Sequence, residues 1–475
     1  LFAEKAHADA PDASEVHRRH AEFVLGASVR AGRAHTDMAH YRWTSELVTA
    51  MADLRAAIAW TLIEENDLVL GMEITAESLR SYLDASLVDE YRRYVLTALD
   101  KASRAGIEGT RLEFKLQVAQ SFLFSQASTG PEGQGRIFAK TRDLASRFGS
   151  VTDKIEALYG MAAGAYGQGN YIETLACSEE IRELAQGELE PLSVAIADRM
   201  SALSLHALGQ HDAAERLALR VMRFKVTSLE RRFQSEVPFG VSMRIQLARI
   251  CWLRGEFQKA WTVAQEAIVR EATAHMFAKC QPLGMAAIPI AIWKGDFATA
   301  ARWNQELLDH TVRGSFPYWQ AFANVYRSVI EGHPILPGSA EGQLLERSPL
   351  LMDIVCTLQT VLPSPIMLTR VTEGQVGWSA PEVLRLAALA DLDPHNKESR
   401  TRCIAALQNA MALSSEQGAL FWSLRIAISI CQIAPTSGPE HSSAKDQLLA
   451  LLNIIDDGSP LPDLQRARKL AQSLL

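Results

Sequence analysis

The sequence has no C-x-x-C pair, no run of about 18 apolar residues, no G-x-x-x-x-G-K-[ST] loop and no excess of positive charge. Each absence removes a class of function. With 48 Lys and Arg against 55 Asp and Glu, the formal charge is −7, so the chain carries no electrostatic footprint for nucleic acid or an acidic membrane. Without a long apolar run no transmembrane helix is expected, and no charged-apolar-small signal opens the chain. The six cysteines (Cys177, Cys251, Cys280, Cys356, Cys403 and Cys431) lie far apart in a chain too large to need disulfide staples, which points to a reducing, cytoplasmic setting.

Catalytic patterns are missing as well. No G-x-S-x-G and no H-E-x-x-H occurs, and the glycines Gly164, Gly167 and Gly169 follow no strand pattern, so they do not read as a nucleotide loop. His17 and His20 sit three apart on one helical face, but no further Cys or His closes a metal set. The paired carboxylates Glu64-Glu65 and Asp456-Asp457 read as solvated turn residues. The expectation is a chain that is not an enzyme, with no metal site and no cofactor of its own.

What is present is a repeat. Four phrases recur: G-N-Y-I-E-T at 169–174, G-Q-H-D-A-A at 209–214, G-E-F-Q-K-A at 255–260 and G-D-F-A-T-A at 295–300. Their glycines are 40, 46 and 40 residues apart, the period of stacked helical pairs. Each phrase reads as a hinge between two helices. The glycine supplies a backbone conformation other residues reach only with strain, a ring at the third place plugs the wedge, and a small sixth residue lets the helices approach. Placed in register with the tetratricopeptide pattern, the seventh residue before each glycine should also be small; it is Ala162, Ala202, Ala248 and then Ile288. Period-2 alternation never lasts more than a few residues, so no strands are expected.

The fold class that follows is all-α, a tetratricopeptide-like α-solenoid in which helical hairpins wind into a right-handed superhelix. Three regions are expected: an N-terminal helical arm with degenerate repeats over 1–105, a central superhelix over 106–335, and degenerate repeats with a C-terminal cap on the last repeat over 336–475. Gly338, 43 residues after Gly295, reads as a degenerate fifth hinge. The same register names the side chains facing the inside of the superhelix. Tyr159 and Tyr166 belong to the first pair, Arg199 and His206 to the second, Arg249 and Trp252 to the third, and Met285 to the fourth. Flat rings beside fork-shaped cations suit an anionic or aromatic guest.

Several phrases resemble the C-terminal half of bacterial transcriptional regulators in the class of signal-transduction ATPases with numerous domains. They are L-F-A-E-K at 1–5, H-R-R-H-A-E-F at 17–23, A-D-L-R-A-A-I-A-W at 52–60, P-Y-W at 317–319, W-S-A-P-E-V-L-R-L at 378–386, E-Q-G-A-L-F-W-S-L-R-I-A at 416–427 and D-L-Q-R-A-R at 463–468. The resemblance implies a tetratricopeptide-like sensor that follows a nucleotide-binding switch module and a winged-helix or other DNA-binding domain. Leu1 in place of Met agrees with a piece of a longer chain, whose missing upstream part would carry the ATPase. Ser86 and Tyr91 replace the expected glycine and small residue of a hinge, so the N-terminal repeat is a surface for docking on that module. The expected function is a ligand-sensing regulatory region binding a small-molecule effector. The alternative is a protein-protein interaction scaffold that presents the concave face to a partner.

Overall fold

The structure, a computed structural model, describes residues 13–33, 35–36, 45–85, 87–123, 133–185, 190–224, 229–230, 238–270, 276–314, 317–336, 338–358, 363–434, 439–455 and 458–473. Ser86, the phrase at 1–5 and the Asp456-Asp457 pair lie outside these residues.

The chain is all-α. The N-terminal helices are α1 (Ala13–Arg33), α2 (Ser45–Ile58), α3 (Leu68–Glu77), α4 (Leu79–Asp84), α5 (Val88–Arg104), α6 (Arg111–Leu123) and α7 (Gln134–Phe148). The hinge region holds α8 (Val151–Gly167), α9 (Tyr171–Leu184), α10 (Glu190–Ala207), α11 (His211–Arg223), α12 (Phe239–Leu253) and α13 (Phe257–Arg270). It continues through α14 (Met276–Pro282), a π-turn at Leu283–Ala287, α15 (Ile288–Lys294), α16 (Phe297–Gly314) and α17 (Pro317–Ile330). The C-terminal helices are α18 (Ala340–Arg347), α19 (Pro349–Val355), α20 (Pro365–Thr372), α21 (Ala380–Ala390), α22 (Lys397–Glu416), α23 (Leu420–Ile433), α24 (Pro439–Ile455) and α25 (Pro462–Ser473). Successive helices pack on each other, and α8, α10 and α12 also touch in turn. One correction concerns strands: His35–Thr36 pairs antiparallel with Leu229–Glu230, a two-residue ladder too short to leave a sequence pattern.

The four hinges form as expected. Gly169, Gly209, Gly255 and Gly295 have φ of +70°, +84°, +82° and +77°, the left-handed region where a β-carbon is strained. Each glycine N–H donates to the carbonyl three residues back, and the following N–H reaches the carbonyl four before the glycine, as Gly209→His206 (3.0 Å) and Gln210→Leu205 (2.8 Å) do. This paired closure satisfies the orphan carbonyls of a helix end. It also occurs at Gly106, Gly332, Gly374 and Gly418. The fifth hinge is therefore Gly332, where α17 ends, rather than Gly338, although Gly338 is also left-handed at +82°.

Ala162, Ala202, Ala248 and Ile288 are all buried, as are Thr174, Ala214, Ala260 and Ala300. Tyr171, His211 and Phe257 plug their wedges, whereas Phe297 is 48% exposed. At this fourth hinge Pro462 lies against Gly295, and Trp303 and Leu307 make the buried face of α16. Ala202→Leu or Ala248→Leu is expected to overpack its helix pair and cost about 1–3 kcal/mol, read as a lowered urea midpoint. Unchanged midpoints in both would refute the register.

The C-terminal helices do not cap the last repeat; they lie along the hinges. A β-carbon built at Gly169 would meet Pro349 (2.7 Å) and Arg370 (2.8 Å). At Gly209, Gly255 and Gly295 it would meet Gln417, Ile455 and Pro462, each at 2.6 Å. One buried cluster accordingly runs from Tyr171 to Ala471, crossing the boundary expected at 335/336. The reason is apolar surface. Trp252, Trp293, Trp378, Phe421 and Trp422 form a contiguous aromatic cluster shared by both sets of helices, with ring centroids 5.0–6.4 Å apart.

Candidate functional site

Of the seven residues expected on an inner wall, His206, Arg249 and Trp252 are met by side chains of the chain's own C-terminal segment. Trp252 packs edge-on to Phe421 and beside Trp293, and His206 stacks on Trp378 with centroids 5.7 Å apart. Met285 is buried in the π-turn. That turn lies between two prolines: Pro289 has no N–H to offer the Met285 carbonyl, so the regular ladder is interrupted there. Tyr326 Oη donates to the Gly284 carbonyl in the same turn at 2.5 Å. Tyr159 packs edge-on to Phe122 and accepts from Arg199 Nη1 at 3.2 Å.

Arg249 is the most unusual of the seven. It is 2% exposed, and its guanidinium lies 3.9 Å from the Trp378 ring centroid. Among the described residues it makes no ion pair, and its Nε–H has no acceptor. Burial pushes its pKa below the ordinary arginine value, with the tyrosines Tyr166, Tyr171 and Tyr326 and Asp353 opposing that fall. A buried charge without a carboxylate is costly, and the contact with the indole face recovers only part of that cost, about 2 kcal/mol.

The groups around it are polar and incompletely used. Gln246 Nε2 donates to Tyr166 Oη at 3.4 Å while its Oε1 is unpaired, and the buried Tyr318 hydroxyl has no partner among the described residues. Tyr166 lies deep in the protein, where burial raises its pKa and the Arg249 and Arg199 charges lower it, yet it keeps some accessible surface. Asp353, the nearby carboxylate, is already taken: it accepts from Tyr171 Oη (2.7 Å) and from Arg370 Nη2 (2.9 Å) and Nε (3.3 Å).

Sequence reasoning found Tyr166 and Arg249 but missed Gln246, Tyr318, Tyr326, Asp353, Arg370 and Trp378. Gln246 lies nine residues before Gly255, off the counted inner positions, and Asp353 and Arg370 meet Tyr171 across more than 180 residues of chain. No spacing rule links such distant segments. Among the described residues no group of three His, Cys, Asp or Glu could hold a metal ion; His17 instead stacks on Trp60, and His20 approaches Asp53 at 3.5 Å. No described helix is long and apolar enough to cross a membrane.

His206 and His211 form a second buried pair, with Nδ1 atoms 3.0 Å apart and neither Nε2 partnered among the described residues. One Nδ1 must donate and the other accept, so the accepting ring is neutral, and burial disfavours a charge on the donating ring as well. Burial, then the charges of Arg249 and the neighbouring ring, hold His206 well below its usual pKa; burial, then Arg254 and Arg249, push His211 down to about 3, with Asp212 opposing. Because both folded values lie below the unfolded value of about 6.5, the unfolded chain binds protons first as pH falls. Their contribution is complete above about pH 6.5 and declines below it, by up to about 1.4 kcal/mol per histidine per pH unit. Urea midpoints should fall between pH 6.5 and 5, and the slope should lessen in His206→Leu; a flat wild-type profile would contradict this account.

No protein-family model matches the chain, and no curated protein matches it.

Proposed function

We propose that the chain is the ligand-sensing region of a bacterial transcriptional regulator of the signal-transduction ATPase class, a right-handed superhelix of tetratricopeptide-like hairpins that encloses a small-molecule effector. An upstream module in the same polypeptide supplies nucleotide switching and DNA binding, and no catalytic step falls on the residues described here. The cytoplasm is the compartment that suits six buried free thiols.

The observation that carries the reading is Arg249. A guanidinium with no carboxylate partner, set among unpaired polar groups and an aromatic face, costs stability in the free protein and becomes favourable when an anion arrives. The scaffold alternative is less well supported, because the C-terminal helices already occupy the hinge side that a partner would use.

The test is a thermal-shift screen of wild-type protein and Arg249→Met against a broad metabolite panel. A ligand at about 100 times its Kd adds about 2.7 kcal/mol, so hits should raise the wild-type Tm and leave Arg249→Met unmoved. Met keeps the length and removes the uncompensated charge, so the free variant should be more stable than wild type by about 1–3 kcal/mol. A destabilised Arg249→Met, or a panel without hits alongside capture of one protein partner, would overturn the sensor reading.

A further inference from the structure

Resting on the sensor reading above, we infer that the site takes a dicarboxylate, with one carboxylate on Arg249, the other on Arg199 and the Tyr166 ring between them.

Arg199, like Arg249, is buried and forms no ion pair with any described residue. Its Nε donates to Ser242 Oγ (2.9 Å), its Nη1 to Tyr159 Oη (3.2 Å), and its face lies over Phe239. Nη2 donates to no described group, so one edge of the fork is free. The Arg249 guanidinium carbon lies over the Trp378 ring, 3.9 Å from its centroid, and the Nε–H has no acceptor among the described residues, so the fork can take a carboxylate. The Tyr166 hydroxyl lies within electrostatic reach of both guanidinium groups.

The other ionisable groups facing this region cancel or are neutral. Arg370 and Asp353 neutralise each other in a buried ion pair. His206 and His211 share one hydrogen bond deep in the core, where burial keeps both rings uncharged at neutral pH. Two positive charges remain, on separate helices α10 and α12, so a guest with two separated negative charges leaves no buried charge unpaired. A monoacid would neutralise only one. Arg199 is braced by two hydroxyls and α10 packs directly on α12, so the two cations are held in a fixed relation that selects the spacing between the acidic groups.

The experiment titrates the full chain with succinate, 2-oxoglutarate, phthalate and terephthalate, beside benzoate, dimethyl terephthalate and inorganic phosphate at matched ionic strength. Binding is followed by calorimetry and by the fluorescence of Trp378 and its neighbours. At least one dicarboxylate should bind, its monoester at least tenfold more weakly and its diester not at all. Arg249→Met should abolish the binding, and Arg199→Met should weaken it at least tenfold while leaving benzoate unaffected. Arg199→Lys, which keeps the charge and loses the fork, should recover part of the affinity. The inference fails if none of the four diacids binds, if benzoate or phosphate binds as tightly as the best diacid, or if Arg199→Met binds like wild type. The sensor reading survives those failures when a neutral or singly charged compound in the broad screen gives an Arg249-dependent shift; it falls with them when no compound does.

Discussion

Glu382→Ala is expected to lower stability by about 3–5 kcal/mol and to loosen the C-terminal helices from the hinges. Glu382 stands in the first turn of α21 with 0% exposure. Its two oxygens accept from Arg385 Nε (2.7 Å) and Nη2 (2.8 Å) and from Arg425 Nη1 (2.9 Å). Arg425 also reaches Asp463 (2.9 Å) on α25 and the Thr357 carbonyl (2.9 Å), and Arg385 reaches Ser429 (3.1 Å) on α23. One carboxylate thus joins α21, α23, α25 and the end of the segment after α19. Removing it leaves two buried guanidinium groups facing the single carboxylate of Asp463, the situation in which a broken buried pair costs most. Glu382→Gln preserves shape and should cost less than alanine. Trp378 and Trp422 lie in this layer, with Trp422 Nε1 donating to the Trp378 carbonyl at 2.8 Å, so urea unfolding followed by tryptophan emission reports on it. An alanine variant with the wild-type midpoint would refute the network's importance.

Gly377→Ala is the second large effect. Its φ is not left-handed, so the cost is purely one of space. A β-carbon there would lie 2.2 Å from the Leu208 carbonyl oxygen, 2.4 Å from its carbon and 2.9 Å from Gly209 N, all backbone atoms that no rotamer change can move. The glycine is also bonded in place: Gly377 N–H and Trp378 N–H both donate to the Ala207 carbonyl, at 2.8 and 3.1 Å, and Gln417 Nε2 donates to the Gly377 carbonyl at 2.9 Å. Making room separates Gly377 and Trp378 from the second hinge and breaks their two bonds to the Ala207 carbonyl, each worth about 1 kcal/mol, in addition to about 1–3 kcal/mol of overpacking. A loss of about 4 kcal/mol follows, with faster hydrogen exchange at the Trp378 amide. Gly374→Ala is the control: it has φ of +69° and nothing within 4 Å, so it should cost only the left-handed strain of about 1–2 kcal/mol. If the two variants lose equal stability, close approach is not what Gly377 serves.

The hinges were legible because their requirements are local. A left-handed glycine, a plug two residues on and a small residue seven before it all sit within one turn of contact, and Ala162, Ala202 and Ala248 are buried as the register requires. Gly332 and Gly374 escaped the pattern because G-H-P-I-L-P lacks both the ring and the small residue at the expected places, and G-Q-V-G-W-S has Val376 where the ring should stand. The helix closure itself needs only the left-handed residue and two free carbonyls, so it occurs there without the rest of the phrase. The candidate site was half legible for the same reason. Counting along a helix identified the side that carries Arg249 and Tyr166, but Trp378 and Asp353 reach it from more than 100 residues away, and no periodicity encodes which distant segment covers a face.

The seats at Gly169, Gly209, Gly255 and Gly295 carry a consequence for how such a chain can change over generations. Arrays of helical pairs ordinarily gain or lose whole units, since each unit touches only its neighbours. Here Pro349, Gln417, Ile455 and Pro462 take the four seats in sequence order, each matched to its own hinge. Duplicating or deleting the 190–223 pair would shift every later seat by one place and leave Gly377 without the Ala207 carbonyl. A change in the number of pairs therefore costs the chain these matched contacts, whereas a substitution within a pair leaves them in register.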